Sequence, residues 1–361
     1  MKENFLLKSA PILVHPKSQK KILFSKFSLK FSALKRLKEE LEKTKYTILN
    51  GTFRVYAPEM FRDFMEKDKE IFDVGESLDF LANREQIRAA GGASGGKSGE
   101  FFFFSRDRKL IIKTIPNVEM EMLIKIFQKY EEHFTVNPNS LIAKIYGAYT
   151  YENTDLGLKF NIILIKNICG LPSRFVERIY DMKGSKYDRE VLKNQDLDDI
   201  SEARGQVLKD VDFLKYEKKL YIREELKEAF LSQIERDAEF FRSVSLIDYS
   251  FMVFIVDKKK AARERSLSVD SGNIGQESYS SLANVKEEGL YYNVGIIDYL
   301  QPYNFKKAFE RFMKRVRKLS PQLDTSSQDP NYYSRRFIRF ITSIVNSNNS
   351  NDNESLFKSS F

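Results

Sequence analysis

Apolar positions along the chain follow two alternating periods. Phe101–Phe104 is an unbroken aromatic run, Ser105–Lys109 a polar turn, and Leu110–Ile115 a second apolar run holding one lysine, Lys113. That order predicts strand, tight turn, strand. From Asn117 to Phe134 the spacing becomes helical, with Met120, Leu123, Ile124 and Phe127 on one face, after Pro116 has broken the preceding strand. Leu141–Tyr149, Lys159–Asn167 and Arg178–Met182 read as strands. Tyr221–Val244 predicts a long amphipathic helix with Leu226, Phe230, Ile234, Phe241 and Val244 on its apolar side. Two more strands follow, Phe251–Val256 and Tyr291–Asp298. Nearer the N-terminus, Ala33–Thr44, Phe61–Gly75 and Leu78–Ala89 are expected to be helical. The stretch 258–289, rich in Ser, Lys, Glu and Asn, predicts a disordered insert, and the tail 346–361 is similarly low in complexity. Strands, a helix, more strands and a long helix give an α+β fold with two lobes.

Composition and charge narrow the function. The chain has 361 residues, 42% of them apolar and 13% aromatic, enough to bury a sizeable core. Its net charge of +9 is unevenly placed. Residues 1–45 hold 12 Lys/Arg against 4 Glu, a net of +8, and residues 305–319 hold 7 against Glu310, a net of +6. Such patches suit an anionic partner or serve as a solvated face. One cysteine, Cys169, excludes an internal disulfide. With only two histidines, His15 and His133, there is no zinc cluster and little room for a histidine-based triad. No apolar run approaches the length of a membrane span, and the N-terminus is a poor signal peptide, so a cytosolic protein is expected.

Candidate chemistry starts at Gly91–Ser98, which reads GGASGGKS and fits the phosphate-loop pattern. That loop needs a helix after it, whereas here a hairpin follows. A glycine loop leading into a hairpin with a lysine on its second strand is how kinases cover ATP phosphates. Gly95, Gly96, Lys97, Ser98 and Gly99 would form the cover and Lys113 would pair the phosphates, held by Glu119 (or Glu121) on the next helix. Asp248 lies between the long helix and a strand, and Asp298 ends a later strand. In phosphoryl transfer one aspartate handles the attacking hydroxyl and another binds Mg²⁺. A turn or cap role is the plain alternative for each. The protein-kinase wordings H-R-D-L, D-F-G and A-P-E are absent.

In order along the chain stand SGGKSGEFFFF (Ser94–Phe104), LIIKT (Leu110–Thr114), EMEMLIKIF (Glu119–Phe127), YDMKGS (Tyr180–Ser185), LKDVDF (Leu208–Phe213), IERDAEFF (Ile234–Phe241), IDYS (Ile247–Ser250), GIIDYLQ (Gly295–Gln301) and YYSRRF (Tyr332–Phe337). With these motifs the sequence resembles the phosphatidylinositol phosphate kinases over roughly residues 52–345. Departures are mild: Met182 stands where the family usually has Leu, and IDYSFM (Ile247–Met252) stands where it has Met then Leu-Leu. The resemblance implies a flattened, two-lobed, kinase-like catalytic domain with antiparallel sheets; the basic, partly helical extension over 1–51 precedes the matched part. It implies ATP and Mg²⁺ as cofactors, with Lys113 as the ATP lysine, Asp248 as the catalytic aspartate and Asp298 as the metal aspartate. Lys183 would lie near the transferring phosphate and the lipid headgroup.

Substrate choice in this family is made in the activation segment, here 299–331. The 5-kinase class carries an acidic residue where the 4-kinase class has Ala, and counting from Asp298 that position falls on Glu310. The resemblance therefore points to phosphorylation of phosphatidylinositol 4-phosphate at the 5-hydroxyl, with the 4-kinase reaction as the alternative. The family's double lysine is shifted by one, to Lys306 and Lys307, and Arg311 replaces a common His. Independently, Phe305, Phe309, Phe312, Val316 and Leu319 form an apolar stripe if helical, with Lys314, Arg315 and the other basic residues on the remaining faces. Such an element would lie in an anionic headgroup plane, on the cytosolic face of the plasma membrane. An ordinary surface helix is the alternative. Family members often pair through the N-terminal part of the domain, which leaves a homodimer open. A P-loop NTPase and an inactive phosphoinositide-binding module are the competing readings, and no nucleic-acid-binding module is visible.

Overall fold

In the computed structural model, residues 12–14, 47–49, 51–68, 77–79, 83, 101–193, 197, 200–261, 281–303 and 329–347 are described. They fall into two compact units, residues 1–128 with 143–170, and residues 129–142 with 171–361. No helix among the described residues is long and apolar enough to cross a membrane.

The first unit is built on a five-stranded antiparallel sheet in the order β3-β6-β7-β5-β4. Its strands are β3 (Thr52–Tyr56), β4 (Phe102–Phe104), β5 (Leu110–Ile115), β6 (Ile145–Asn153) and β7 (Leu158–Lys166). The unbroken apolar runs of β6 and β7 fit their central places, because a strand covered on both faces need not alternate. Leu110, Ile112, Ile162 and Leu164 are almost fully buried. Between β4 and β5, Asp107 closes the turn by accepting from Ser105 Oγ (2.5 Å) and from the Lys109 amide (3.2 Å), with Arg108 in the left-handed region at φ 58°. Strand Phe102–Phe104 begins four residues beyond Ser98, which leaves no length for the helix a P-loop NTPase requires.

Helix α1 (Pro58–Lys67) starts with proline in its first turn, where a missing N–H is harmless, and buries Met60, Phe61 and Phe64. Helix α2 (Asn117–Val136) follows Pro116 as the spacing predicts, and Phe127 meets Phe61 edge to face at 5.8 Å. Two short strands, β1 (Ile12–Val14) and β2 (Thr47–Leu49), pair antiparallel within the basic extension. The helices expected at 33–44 and over most of 78–89 lie outside the described residues.

The second unit carries the sheet β12-β13-β11-β8-β9, formed by β8 (Val176–Met182), β9 (Val207–Leu208), β11 (Ser250–Asp257), β12 (Ser281–Ala283) and β13 (Leu290–Ile297). All its pairs are antiparallel except β8 with β9. A parallel pair of β10 (Leu220–Ile222) with β14 (Val345–Ser347) stands apart from it. Helix α3 (Asp210–Tyr216) is short, while α4 (Glu224–Ser243) and α5 (Pro330–Ile344) are long and pack on each other. Phe230 of α4 and Phe337 of α5 both meet Phe251 of β11, at 6.3 Å and 6.5 Å.

Three expectations are corrected. The insert 258–289 is ordered at both ends. Ser281–Ala283 pairs with β13, Lys258 donates its amide to the Gly289 carbonyl, and Val285 donates to Tyr221. Asn284 Oδ1 caps the amides of Lys286 and Glu287, so polar residues here build a turn. Only 262–280 falls outside the described residues. Likewise Asn346 and Ser347 of the supposed tail belong to β14. A third strand begins later than expected, at Ile145 and not Leu141. Leu141 is held instead by the Asp237 carboxylate (2.7 Å), and Ile142 bridges to Ile296.

That carboxylate is fully buried on the apolar side of α4. It accepts from His133 Nε2, Ser140 Oγ and Gln233 Nε2, each at 2.8 Å, besides the Leu141 amide. Asp237→Ala would leave these donors without an acceptor, at about 1–3 kcal/mol for each buried group. The unfolding midpoint in urea should then fall by the equivalent of at least about 3 kcal/mol, and by less for Asp237→Asn, which keeps one acceptor. A loss below about 1 kcal/mol for the alanine variant would contradict this account.

Candidate active site

Strand register sets the geometry of the second unit's site. In the sheet, Met182 of β8 faces Phe251 of β11, and Ser250 of β11 faces Ile297 of β13. The chain segments immediately beyond these residues therefore emerge at one end of the sheet. They carry Lys183, Asp248 and Asp298, three of the residues singled out from sequence.

Asp248 and Asp298 occupy equivalent settings. Each lies in a four-residue stretch, Leu246-Ile-Asp-Tyr249 and Ile296-Ile-Asp-Tyr299. Each has a left-handed backbone, φ 67° and 55°, a region non-glycine residues rarely enter and one that clusters at functional sites. The following tyrosines explain how it is held. Tyr249 and Tyr299 are buried, and both rings lie against Phe241, at 4.4 Å and 5.3 Å. The Tyr333 hydroxyl donates to the Tyr249 carbonyl (2.6 Å), and Tyr299 Oη lies 3.0 Å from Tyr130 Oη. Burial pushes the Tyr299 and Tyr333 hydroxyls well above their usual range, so both stay protonated. Beyond the aspartates the strands meet again, where the Ile247 amide donates to Gln301 and the Tyr303 amide to Ser245. The two aspartates thus sit between the sheet and this second tie, each followed by a buried tyrosine. Asp298 is exposed and Asp248 half-buried.

Lys183 Nζ lies 2.9 Å from Asp248 Oδ1. Its backbone is pinned by a residue that carried no assigned role in the sequence reading. Asp210, fully buried in LKDVDF, accepts the amides of Lys183, Gly184 and Ser185 on Oδ1 and Arg189 Nε on Oδ2. Burial opposes the Arg189 charge, but Asp210 and Asp181 outweigh it and hold the guanidinium above its usual range. The signal for Asp210 was a D-x-D spacing at a helix start, which also fits simple capping. Asp212 does cap in that way, accepting the amides of Val191, Leu192 and Lys209.

The remaining candidates divide in two. Lys113, half-buried on β5 between Phe102 and Ile163, and Glu119, in the first turn of α2, belong to the first unit. The loop Gly95, Gly96, Lys97, Ser98, Gly99 and the segment bearing Lys306, Lys307, Glu310, Arg311, Lys314 and Arg315 lie outside the described residues.

Comparison with known proteins bears on this arrangement. A family model described as phosphatidylinositol-4-phosphate 5-kinase matches residues 81–286 and 273–344. A human phosphatidylinositol 4-phosphate 5-kinase type-1 alpha is 30% identical over 330 residues, 81% of this chain and 55% of that protein. A phosphatidylinositol 4-phosphate 5-kinase of Schizosaccharomyces pombe is 26% identical over 354 residues, 81% of this chain and 46% of that protein. Phosphatidylinositol 4-phosphate 5-kinase 3 of Arabidopsis thaliana is 28% identical over 330 residues, 80% of this chain and 44% of that protein. The chain spans about half the length of the curated relatives it matches. With a family model covering most of its length and a site built at the ends of three of its strands, the chain belongs to the phosphatidylinositol phosphate kinase family, in its type I class.

Proposed function

We propose that the chain is an ATP-dependent lipid kinase that moves the γ-phosphate to the 5-hydroxyl of phosphatidylinositol 4-phosphate, giving phosphatidylinositol 4,5-bisphosphate. The observation that carries the proposal is the Lys183–Asp248 ion pair at the end of the sheet that also presents Asp298. Membership of a kinase family implies ATP as phosphate donor, and the names of the relatives favour the 4-phosphate as acceptor.

On this reading the Asp248 carboxylate accepts the proton of the attacking hydroxyl. The hydroxyl oxygen bonds to the γ-phosphorus, the bond from that phosphorus to the β–γ bridging oxygen breaks, and ADP leaves. Lys183, 2.9 Å from the same carboxylate, is suited to steady it and to meet charge on the transferring phosphoryl group. Lys113 and Glu119 fit the paired lysine and glutamate that hold the triphosphate.

Asp298 would hold Mg²⁺. Its carboxylate is exposed at the end of β13, and Mg²⁺ at nucleotide sites is bound by one or two carboxylates together with phosphates. Among the described residues no group of three His, Cys, Asp or Glu is suited to caging a metal, so phosphates would complete such a site. Bound there, Mg²⁺ would neutralise charge on the triphosphate. The segment 305–319, at +6, would dock the protein on an anionic membrane face, at about 1 kcal/mol for each basic residue near the surface and less at high salt.

Asp248→Asn should lower kcat by about 10²–10⁴-fold with an unchanged melting temperature. Asp298→Ala should remove Mg²⁺-dependent transfer, and undiminished activity in that variant would end its metal role. Product identity is the central test. Labelled ATP is incubated with each monophosphorylated inositol lipid and the products are separated by thin-layer chromatography. Phosphatidylinositol 4,5-bisphosphate should form from the 4-phosphate, and Glu310→Ala should loosen that choice. If the 5-phosphate is the better acceptor, the 5-hydroxyl assignment fails. Reversing the charges of Lys306 and Lys307 should weaken sedimentation with anionic liposomes in a salt-dependent way. A short-chain soluble substrate should be phosphorylated nearly as before.

A further inference from the structure

We propose that Asp210, balanced by Arg189, is the positioning residue of Lys183, fixing where its ammonium stands relative to Asp248. This rests on the reading of Lys183 given above. Three consecutive amides, from Lys183 (2.9 Å), Gly184 (2.7 Å) and Ser185 (3.2 Å), converge on the single oxygen Oδ1. Hydrogen bonds to a charged acceptor are the strong ones, and three on one oxygen fix the turn that leaves β8. The other oxygen takes Arg189 Nε at 2.7 Å. The same guanidinium reaches the carbonyl and the carboxylate of Asp181, two residues before Lys183 on β8. One carboxylate and one guanidinium therefore hold the chain on both sides of Lys183.

The opposite side of the turn is closed by α5. Arg336 Nη2 donates to the Lys183 carbonyl (3.3 Å). Gly184 has φ 70°, and a Cβ there would stand 3.1 Å from Phe340 Cβ and 3.2 Å from the Arg336 carbonyl. Only glycine meets both demands without strain. With its amide and carbonyl both engaged, Lys183 keeps freedom only in its side chain, which reaches Asp248. A misplacement of about 1 Å at a reacting group can cost about 10²-fold in rate, so the turn's position is a catalytic quantity as well as a folding one.

The test uses the whole chain with ATP and a short-chain soluble phosphatidylinositol 4-phosphate. Asp210→Asn removes the charge, Arg189→Lys keeps charge but loses the fork to Asp181, and Gly184→Ala moves the turn without touching either charge. In each variant kcat per folded molecule, the folded fraction taken from a thermal melt, should fall by at least about 10-fold with KM for ATP within about twofold. In a Lys183→Arg background, Asp210→Asn should cost less than about twofold more, because residues acting through one another are not additive. Lowered melting temperatures with unchanged kcat per folded molecule would overturn the proposal. Full additivity with Lys183→Arg would do so too. Should Lys183→Arg by itself leave kcat unaltered, the role given to Lys183 falls, and this proposal with it. Should Asp210→Asn not fold, Gly184→Ala and Arg189→Lys decide alone.

Discussion

Hydrogen-bond register between β8, β11 and β13 is the constraint from which the site follows. From Phe251 to Ile255 the β8–β11 pairing runs in unbroken register, and a slip of one there would turn every side chain to the other face. With Ser250 opposite Ile297 and Phe251 opposite Met182, Lys183, Asp248 and Asp298 must leave the sheet at the same end. The buried runs of β11 and β13 then fix that register, since Val253, Ile255, Val294 and Ile296 are all enclosed. Core packing thus brings the three residues to one end of the sheet, and local contacts set their orientation there.

What the sheet cannot supply is the direction in which each aspartate points, and the aromatic core supplies it. A left-handed backbone at Asp248 and at Asp298 is unfavourable by itself. Each is followed by a tyrosine whose ring is buried against Phe241, and a ring of that size contributes more through burial than the backbone strain costs. The Tyr299 hydroxyl also meets a partner in the core, the Tyr130 hydroxyl. The repeated Ile-Asp-Tyr is therefore a compact device: a buried tyrosine anchors the chain just beyond each aspartate and holds its left-handed backbone in place.

Much of this was legible in the sequence, and the failures have physical reasons. Leu110–Ile115 and Asn117–Phe134 matched closely because their periods are clean and Pro116 separates them. Tyr221–Val244 was also right in kind, yet its inner face includes Gln233 and Asp237, which a hydrophobic pattern counts as solvent-facing. Charge in the core is invisible to periodicity when its partners, here Ser140 and Leu141, lie far along the chain. The strand at Thr52–Tyr56 went unread because its exposed edge position leaves a weak pattern. Ser281–Ala283 is too short for any periodicity and is ordered by its neighbour Tyr292. Lys183, Asp248 and Asp298, which the motifs single out, come together at one end of the sheet, whereas Asp210 drew no notice, because it accepts three backbone amides that no sequence displays.

The same end of the second unit also anchors residues 304–328. The chain enters them after Tyr303, whose amide is held by Ser245 three residues before Asp248. It leaves them at Asp329, which caps α5, the helix that grips the Tyr249 and Lys183 carbonyls through Tyr333 and Arg336. Both ends of the stretch are thereby tied to the residues assigned to chemistry. On the proposed reading, the basic stretch that meets the membrane is therefore joined at both ends to the segments that carry Lys183 and Asp248.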